Sequence, residues 1–384
     1  MLAHSGYLLR VLYKQLIGFL SSLLTFTAYN SQNSLLSEID KSAVIPIKQT
    51  TSLYYKWLMT QDIQVPNTDS QTTGNHGSND IRQRFFVEDS PVRGDVVRLS
   101  RSYASTIAQK PYPEAIKRLL GEMLTAASLL ISTVKINGRL SIQLQSSDSD
   151  SLLNWAMAEC DQDGIIRALA SWKGETDEQV QAWDKMTHAK EAFAELGAMG
   201  QGVLFINIQP DGGEPYQGIV ERSHDNLADC LAHYQKQSAQ IPTLINLASD
   251  GLQAGGILVQ MLPRTAEETS EVEQNQDAGI DDDLWTRLSV LTRTVKPEEL
   301  TTLDANEILY RLYHEENIVA PEPAPLSFGC TCSREKCEMA IEQIGEAEAL
   351  DIVEEQGGTF EMDCGFCGEV YKFNKDDVAA IFAE

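Results

Sequence analysis

The cysteines carry the most definite chemistry in this 384-residue sequence. Three of the seven fall in "GCTCSREKC", at Cys330, Cys332 and Cys337, and two more in "CGFC", at Cys364 and Cys367. CxC and CxxC, with 31 residues between them, supply four thiolates in two close pairs. That is a donor set for tetrahedral Zn(II), with Zn–S near ~2.3 Å, and a closed four-sulfur site is structural. In so small a domain the metal supplies much of the folding free energy, on the order of 10 kcal/mol or more. Cys337 exceeds a four-ligand set and is expected to be a spare thiol.

Other fates of these cysteines make different demands on the surrounding sequence. A disulfide scaffold would spread an even number over a short secreted chain, whereas here the number is odd and five fall in the last 55 residues. A thioredoxin-like CxxC needs a helix N-terminus to lower its thiol pKa, but this one runs into Gly368 and the strand-like "EVYKF". A nucleic-acid zinc ribbon needs clustered Lys and Arg, and this region reads "EAEALDIVEEQGGTFEMD". An inert structural zinc stays open beside a redox-responsive one. CxC favours the second, because a disulfide between cysteines one residue apart is strained and labile. Arg334 and Lys336 beside them either favour the thiolates or are simply solvated charges.

The elements that must position these sulfurs follow from composition and periodicity. With 42% hydrophobic residues the chain can bury a sizeable core in two or three units. The formal charge of -26 is uneven: residues 264–384 hold 29 acidic against 9 basic side chains, which excludes nucleic acid as a partner for that third. Residues 1–80 read as a poorly ordered extension. Arg10 and Lys14 before "QLIGFLSSLLTFTAYN" resemble an export signal superficially, but the apolar run is short and interrupted, so no membrane span is predicted.

From Arg82 the pattern tightens into a core domain over 81–263. "RGDVVRLS" alternates like a strand, and Ala115, Leu119, Met123, Ala127 and Leu130 mark a long buried helix after Pro113. Asn137-Gly138 predicts a hairpin turn into "RLSIQLQ". "GIIRALASW", "GVLFINIQP", "YQGIV", "PTLINLAS" and "AGGILVQMLP" continue the strands. Leu227, Cys230, Leu231 and Tyr234 form one helix face, so Cys230, like Cys160, is expected to be a small buried hydrophobe. Residues 264–326 predict an acidic linker with two amphipathic helices, one carrying Leu284, Leu288 and Leu291 and the other Ile308, Leu309 and Leu312, with Asp304 as N-cap. Residues 327–384 hold the cysteines. The fold class is α+β: a mixed strand and helix core, a helical linker and a small C-terminal zinc-binding domain.

"CTCSREKC" with "DCGFCGEVYKFN" downstream, together with "LYRLYHEE", "GGILVQMLP" and "YQGIV", resembles the heat shock protein 33 family of redox-regulated chaperones. The similarity extends from about Arg82 to the C-terminus and has no counterpart for residues 1–80. The resemblance implies no enzyme but a cytoplasmic, ATP-independent holdase, inactive while reduced and holding one Zn(2+) per chain on Cys330, Cys332, Cys364 and Cys367. It further implies that oxidation pairs Cys330 with Cys332 and Cys364 with Cys367. Zinc is then lost, the linker unfolds, and unfolding client proteins are bound, commonly by a homodimer. Neither nucleic acid nor membrane is an implied partner. Cys230 and Cys337 correspond to family cysteines outside the zinc site. The alternatives from other classes are a thiol-disulfide oxidoreductase and an interaction module with an inert zinc.

Overall fold

The computed structural model describes residues 80–146, 148–197, 202–263 and 280–383. The expected N-terminal extension up to residue 79 and the acidic stretch 264–279 lie outside the described residues.

Along the chain, β1 (Ile81–Val87) and β2 (Val92–Leu99) precede α1 (Arg101–Ile107) and α2 (Glu114–Ile131). β3 (Gly138–Gln145), β4 (Leu153–Asp161) and β5 (Ile165–Trp172) form a meander, followed by α3 (Asp177–Asp184) and α4 (Ala189–Ala194). Then come β6 (Val203–Pro210), β7 (Tyr216–Val220), α5 (Leu227–Ser238), β8 (Thr243–Ser249) and β9 (Ala254–Met261). The linker region contains α6 (Ile280–Thr292), α7 (Pro297–Thr302) and α8 (Ala305–Tyr313). Three two-residue strands follow: β10 (Ile318–Val319), β11 (Ala324–Pro325) and β12 (Ser327–Phe328). The chain ends with α9 (Arg334–Ile344), α10 (Glu346–Glu355), β13 (Thr359–Asp363), β14 (Val370–Asn374) and α11 (Lys375–Ile381).

The chain divides into two compact units. The larger includes the described residues up to Thr331 together with Cys364–Glu369; the smaller takes Cys332–Asp363 and the residues from Val370. The larger unit is α+β, as its mixed pattern predicts. One sheet has the order β10-β1-β2-β9-β8, with β11 also on β1, and the other the order β12-β5-β4-β3-β6-β7. Its pairings are antiparallel except that of β12 with β5.

Helix α2 packs on strands of both sheets. Ala115, Leu119, Met123, Ala127 and Leu130, the five positions of the helical period, are all buried. Its C-terminal carbonyls meet three guanidinium groups: Arg82 donates to Ser128 O (3.2 Å), Arg84 to Ser132 O (2.7 Å) and Arg93 to Thr133 O (3.2 Å). Cations at that end complement the helix dipole, and buried Asp95 offsets part of their charge through Arg84 at 3.2 Å. Asn137-Gly138 does not make the expected hairpin, because the segment before β3 is the end of α2 rather than a strand.

The linker helices are folded onto the first sheet. Leu284, Leu288, Ile308, Leu309, Leu312 and Tyr313 pack with Phe85, Val87, Val92, Val96, Ile257 and Val259. Burying each such side chain contributes about 1.5–3 kcal/mol, which stabilises short acidic helices that propensity alone would not. Asp304 caps α8 as expected: its Oδ1 accepts from Glu307 N at 2.8 Å, and Glu307 Oε2 accepts from Asp304 N at 2.9 Å. At α7 the approach is backbone to backbone, since a Cβ on Gly255 would lie 2.1 Å from Leu300 O. Arg98, paired in register with Gly255, donates to Thr301 O at 3.1 Å and Gln253 Oε1 at 2.9 Å.

The smaller unit gathers Ile341, Ile352, Val353, Phe360, Phe373 and Val378 into a core of its own. Its β13–β14 hairpin is antiparallel. Among the described residues no helix is long and apolar enough to cross a membrane.

Candidate metal centre

Two turns deliver the sulfurs. β12 lies parallel to β5, with Ser327 opposite Ile165 and Phe328 opposite Ile166, and Gly329 N donates to Ile166 O at 3.3 Å. Gly329 permits this approach, since a Cβ there would stand 2.6 Å from Ile165 Cγ2. Cys330, Thr331 and Cys332 leave the strand, and Ser333 caps α9 by accepting from Lys336 N at 3.3 Å. The second turn joins β13 to β14. It is closed by Cys364 N on Glu369 O and Gly368 N on Cys364 O, both 2.8 Å, which directs Cys364 and Cys367 to one place. This CxxC lies in a strand-to-strand turn rather than at a helix N-terminus, so it lacks the feature that activates a thioredoxin-type thiol.

The Sγ atoms of Cys330, Cys332, Cys364 and Cys367 all lie within 4.8 Å of one another. Tetrahedral Zn–S bonds of ~2.3 Å imply sulfur separations of about 3.8 Å. Cys330 and Cys364 Sγ are 3.5 Å apart, a thiol contact far longer than an S–S bond of ~2.05 Å. Four sulfurs and no carboxylate suit a soft or borderline ion rather than magnesium or calcium. The cluster can therefore hold a metal. All four cysteines are half-buried. The hydrogen bond between Cys330 and Cys364, followed by burial, pushes the Cys364 thiol pKa up.

The other three cysteines stand apart from this group. Cys160 on β4 and Cys230 on α5 are completely buried, as expected of small hydrophobes. Burial pushes the Cys160 thiol up to about 12 and raises that of Cys230. Cys337 on α9 packs against the core of the smaller unit.

Arg334 departs from its sequence reading. It pairs with Glu338 at 3.2 Å and Asp377 at 3.1 Å and lies over the Phe373 ring at 4.2 Å, so it ties the small unit together. The guanidinium beside the sulfurs is that of Arg167 on β5, whose Nη1 points at Cys330 Sγ from 3.7 Å. Tyr371 Oη donates to Cys332 Sγ at 3.3 Å. Sequence reasoning missed both. A signal for Arg167 existed: it is the one charge inside "GIIRALASW", and a charge in a buried strand needs a partner.

Comparison with known proteins bears directly on this arrangement. Residues 80–374 match the model of the family described as Hsp33 protein. The chain belongs to the Hsp33 family. The Hsp33 match takes in all four clustered cysteines. A 33 kDa chaperonin of Pseudomonas paraeruginosa is 41% identical over 304 residues, covering 79% of this chain and 95% of the relative. One from Shewanella denitrificans is 40% identical over 307 residues, covering 80% and 96%. The fold is similar to the crystal structure of a 33 kDa chaperonin, a heat shock protein 33 homolog, from Thermotoga maritima, with TM-score 0.60 and 21% identity over 78% of this chain and 97% of that one.

Proposed function

We propose that this Hsp33 chain is an ATP-independent holding chaperone controlled by oxidation of its metal-binding cysteines. The observation that carries the reading is the convergence of a CxC and a CxxC on one cluster of four sulfurs. Cys330, Cys332, Cys364 and Cys367 are the ligands of one Zn(2+) in the reduced protein; the ion fixes the two turns and so the small cysteine-bearing domain. Hydrogen peroxide oxidises Cys330 with Cys332 and Cys364 with Cys367. Each disulfide yields two electrons to one peroxide, which leaves as two waters after taking up protons. The sulfurs then no longer serve as thiolate donors.

Four regions divide the work: an extension to residue 80, a core over 81–263, a linker over 264–326 and the zinc-binding domain over 327–384. The packing of α6, α7 and α8 on the apolar face of the first sheet supports a regulatory part for the linker. Its release bares Phe85, Val96, Ile257 and Val259, surface of the kind that binds unfolding chains. The surplus of acidic side chains keeps the complexes soluble. The oxidised chain acts as a homodimer on client proteins, with no part for nucleic acid or membrane and no reaction catalysed. Working in the cytoplasm keeps the thiols reduced until stress arrives, since an oxidising compartment would leave the switch permanently on.

The test follows zinc release and aggregation of an unfolding client in parallel during peroxide treatment. One equivalent of zinc should leave as protection appears. Equal protection by reduced and oxidised protein would refute the switch.

A further inference from the structure

Arg167 touches both cysteine-bearing turns. Its Nε donates to Glu159 Oε2 at 2.7 Å, and its Nη1 faces Cys330 Sγ at 3.7 Å and Thr331 Oγ1 at 3.4 Å. Its Cζ stands 4.2 Å from the ring centre of Phe366, the residue between Cys364 and Cys367. The side chain is only 11% exposed. Glu159 is shared with Arg139 at 3.8 Å, so one carboxylate serves two guanidinium groups. Asp161 and Ile165 line a small cavity together with Arg139, Glu159, Arg167 and Thr331.

A buried guanidinium requires anionic partners. Glu159 takes the Nε side of Arg167, and the Nη1 edge is turned to Cys330. Four thiolates around a divalent ion carry two net negative charges, whereas two disulfides carry none. A fixed cation at this place therefore favours the first state over the second. We infer that Arg167 is a positioning residue of the cysteine cluster: it holds both turns in the charged, metal-binding state and sets how readily the sulfurs are oxidised. The inference rests on the reading of the cluster as an oxidisable zinc site.

The test uses full-length reduced, zinc-loaded protein and two readouts. One is the rate of zinc transfer to a chromophoric chelator. The other is the midpoint of thiol oxidation in a glutathione buffer, where each protein disulfide formed reduces one glutathione disulfide to two thiols. R167M keeps the stem and removes the charge. Zinc transfer should quicken by about 10–100-fold, the usual effect of losing a partner of a metal ligand, and the midpoint should move to more reducing potentials. R167K should recover part of both. E159Q retains an acceptor for Nε but removes the competing anion, so its midpoint should move the opposite way. Wild-type behaviour of R167M, or shifts of the same sign in R167M and E159Q, would overturn the inference. Failure of the wild-type protein to hold zinc, or to lose it on oxidation, would instead refute the underlying function.

Discussion

Cys332 and Cys337 are separated by one turn of chain yet occupy different chemical settings. Cys332 joins the sulfur cluster and accepts from Tyr371, whereas Cys337 packs against the core of the smaller unit. Cys332→Ser should lower zinc content below one equivalent per chain and abolish the dependence of client protection on peroxide. Cys337→Ser should leave zinc content, measured by metal analysis, unchanged. The four clustered sulfurs were legible in the sequence because the chemistry lies in short local spacings. Their charged neighbour was not. Arg167 lies 163 residues before Cys330 in the chain, and only the parallel pairing of β12 with β5 brings them together. Local charge misled in the same way: Arg334 is near in sequence, but its partners are Glu338 and Asp377.

Among the elements, those with a clean period were readable and those with a compromised one were not. Helix α2 and the apolar faces of α6 and α8 fit their predicted spacing, and Asp304 its predicted cap. Strand β1 did not declare itself because its polar side chains have internal work. Arg82 and Arg84 reach the end of α2 and Gln83 is buried, while Phe86 is 41% exposed. In β4 the run of Ala156, Met157 and Ala158 blurs the alternation of inward and outward residues. The docking of α7 has a sharper requirement that no pattern announces. Because a Cβ on Gly255 would meet Leu300 O at 2.1 Å, Gly255→Ala should lift the end of α7 from the sheet and break the Arg98 bond to Thr301 O. Limited proteolysis of the reduced, zinc-loaded variant should then cut within 280–313 at least several-fold faster than in the parent. Unchanged protection would show that α7 is held elsewhere.

For the molecule as a whole, stability is unequally founded. The larger unit rests on two six-stranded sheets with a buried helix packed on both. The smaller has a core of few side chains, chiefly Ile341, Ile352, Val353, Phe360, Phe373 and Val378, and units of this size usually need a metal or disulfides to fold. Chelation under reducing conditions should therefore unfold the smaller unit first, seen as a calorimetric transition that moves to lower temperature or disappears while the main transition stays. A single transition unaffected by chelator would contradict this. The order of synthesis adds a further consequence of the way α6, α7 and α8 cover the first sheet. That sheet's four long strands are complete at Met261, whereas the covering helices end at Tyr313. At about 5–20 residues per second, translation takes several seconds to cross that interval. Every nascent chain thus passes through a period with Phe85, Val96, Ile257 and Val259 uncovered, before Cys330, Cys332, Cys364 and Cys367 have been made.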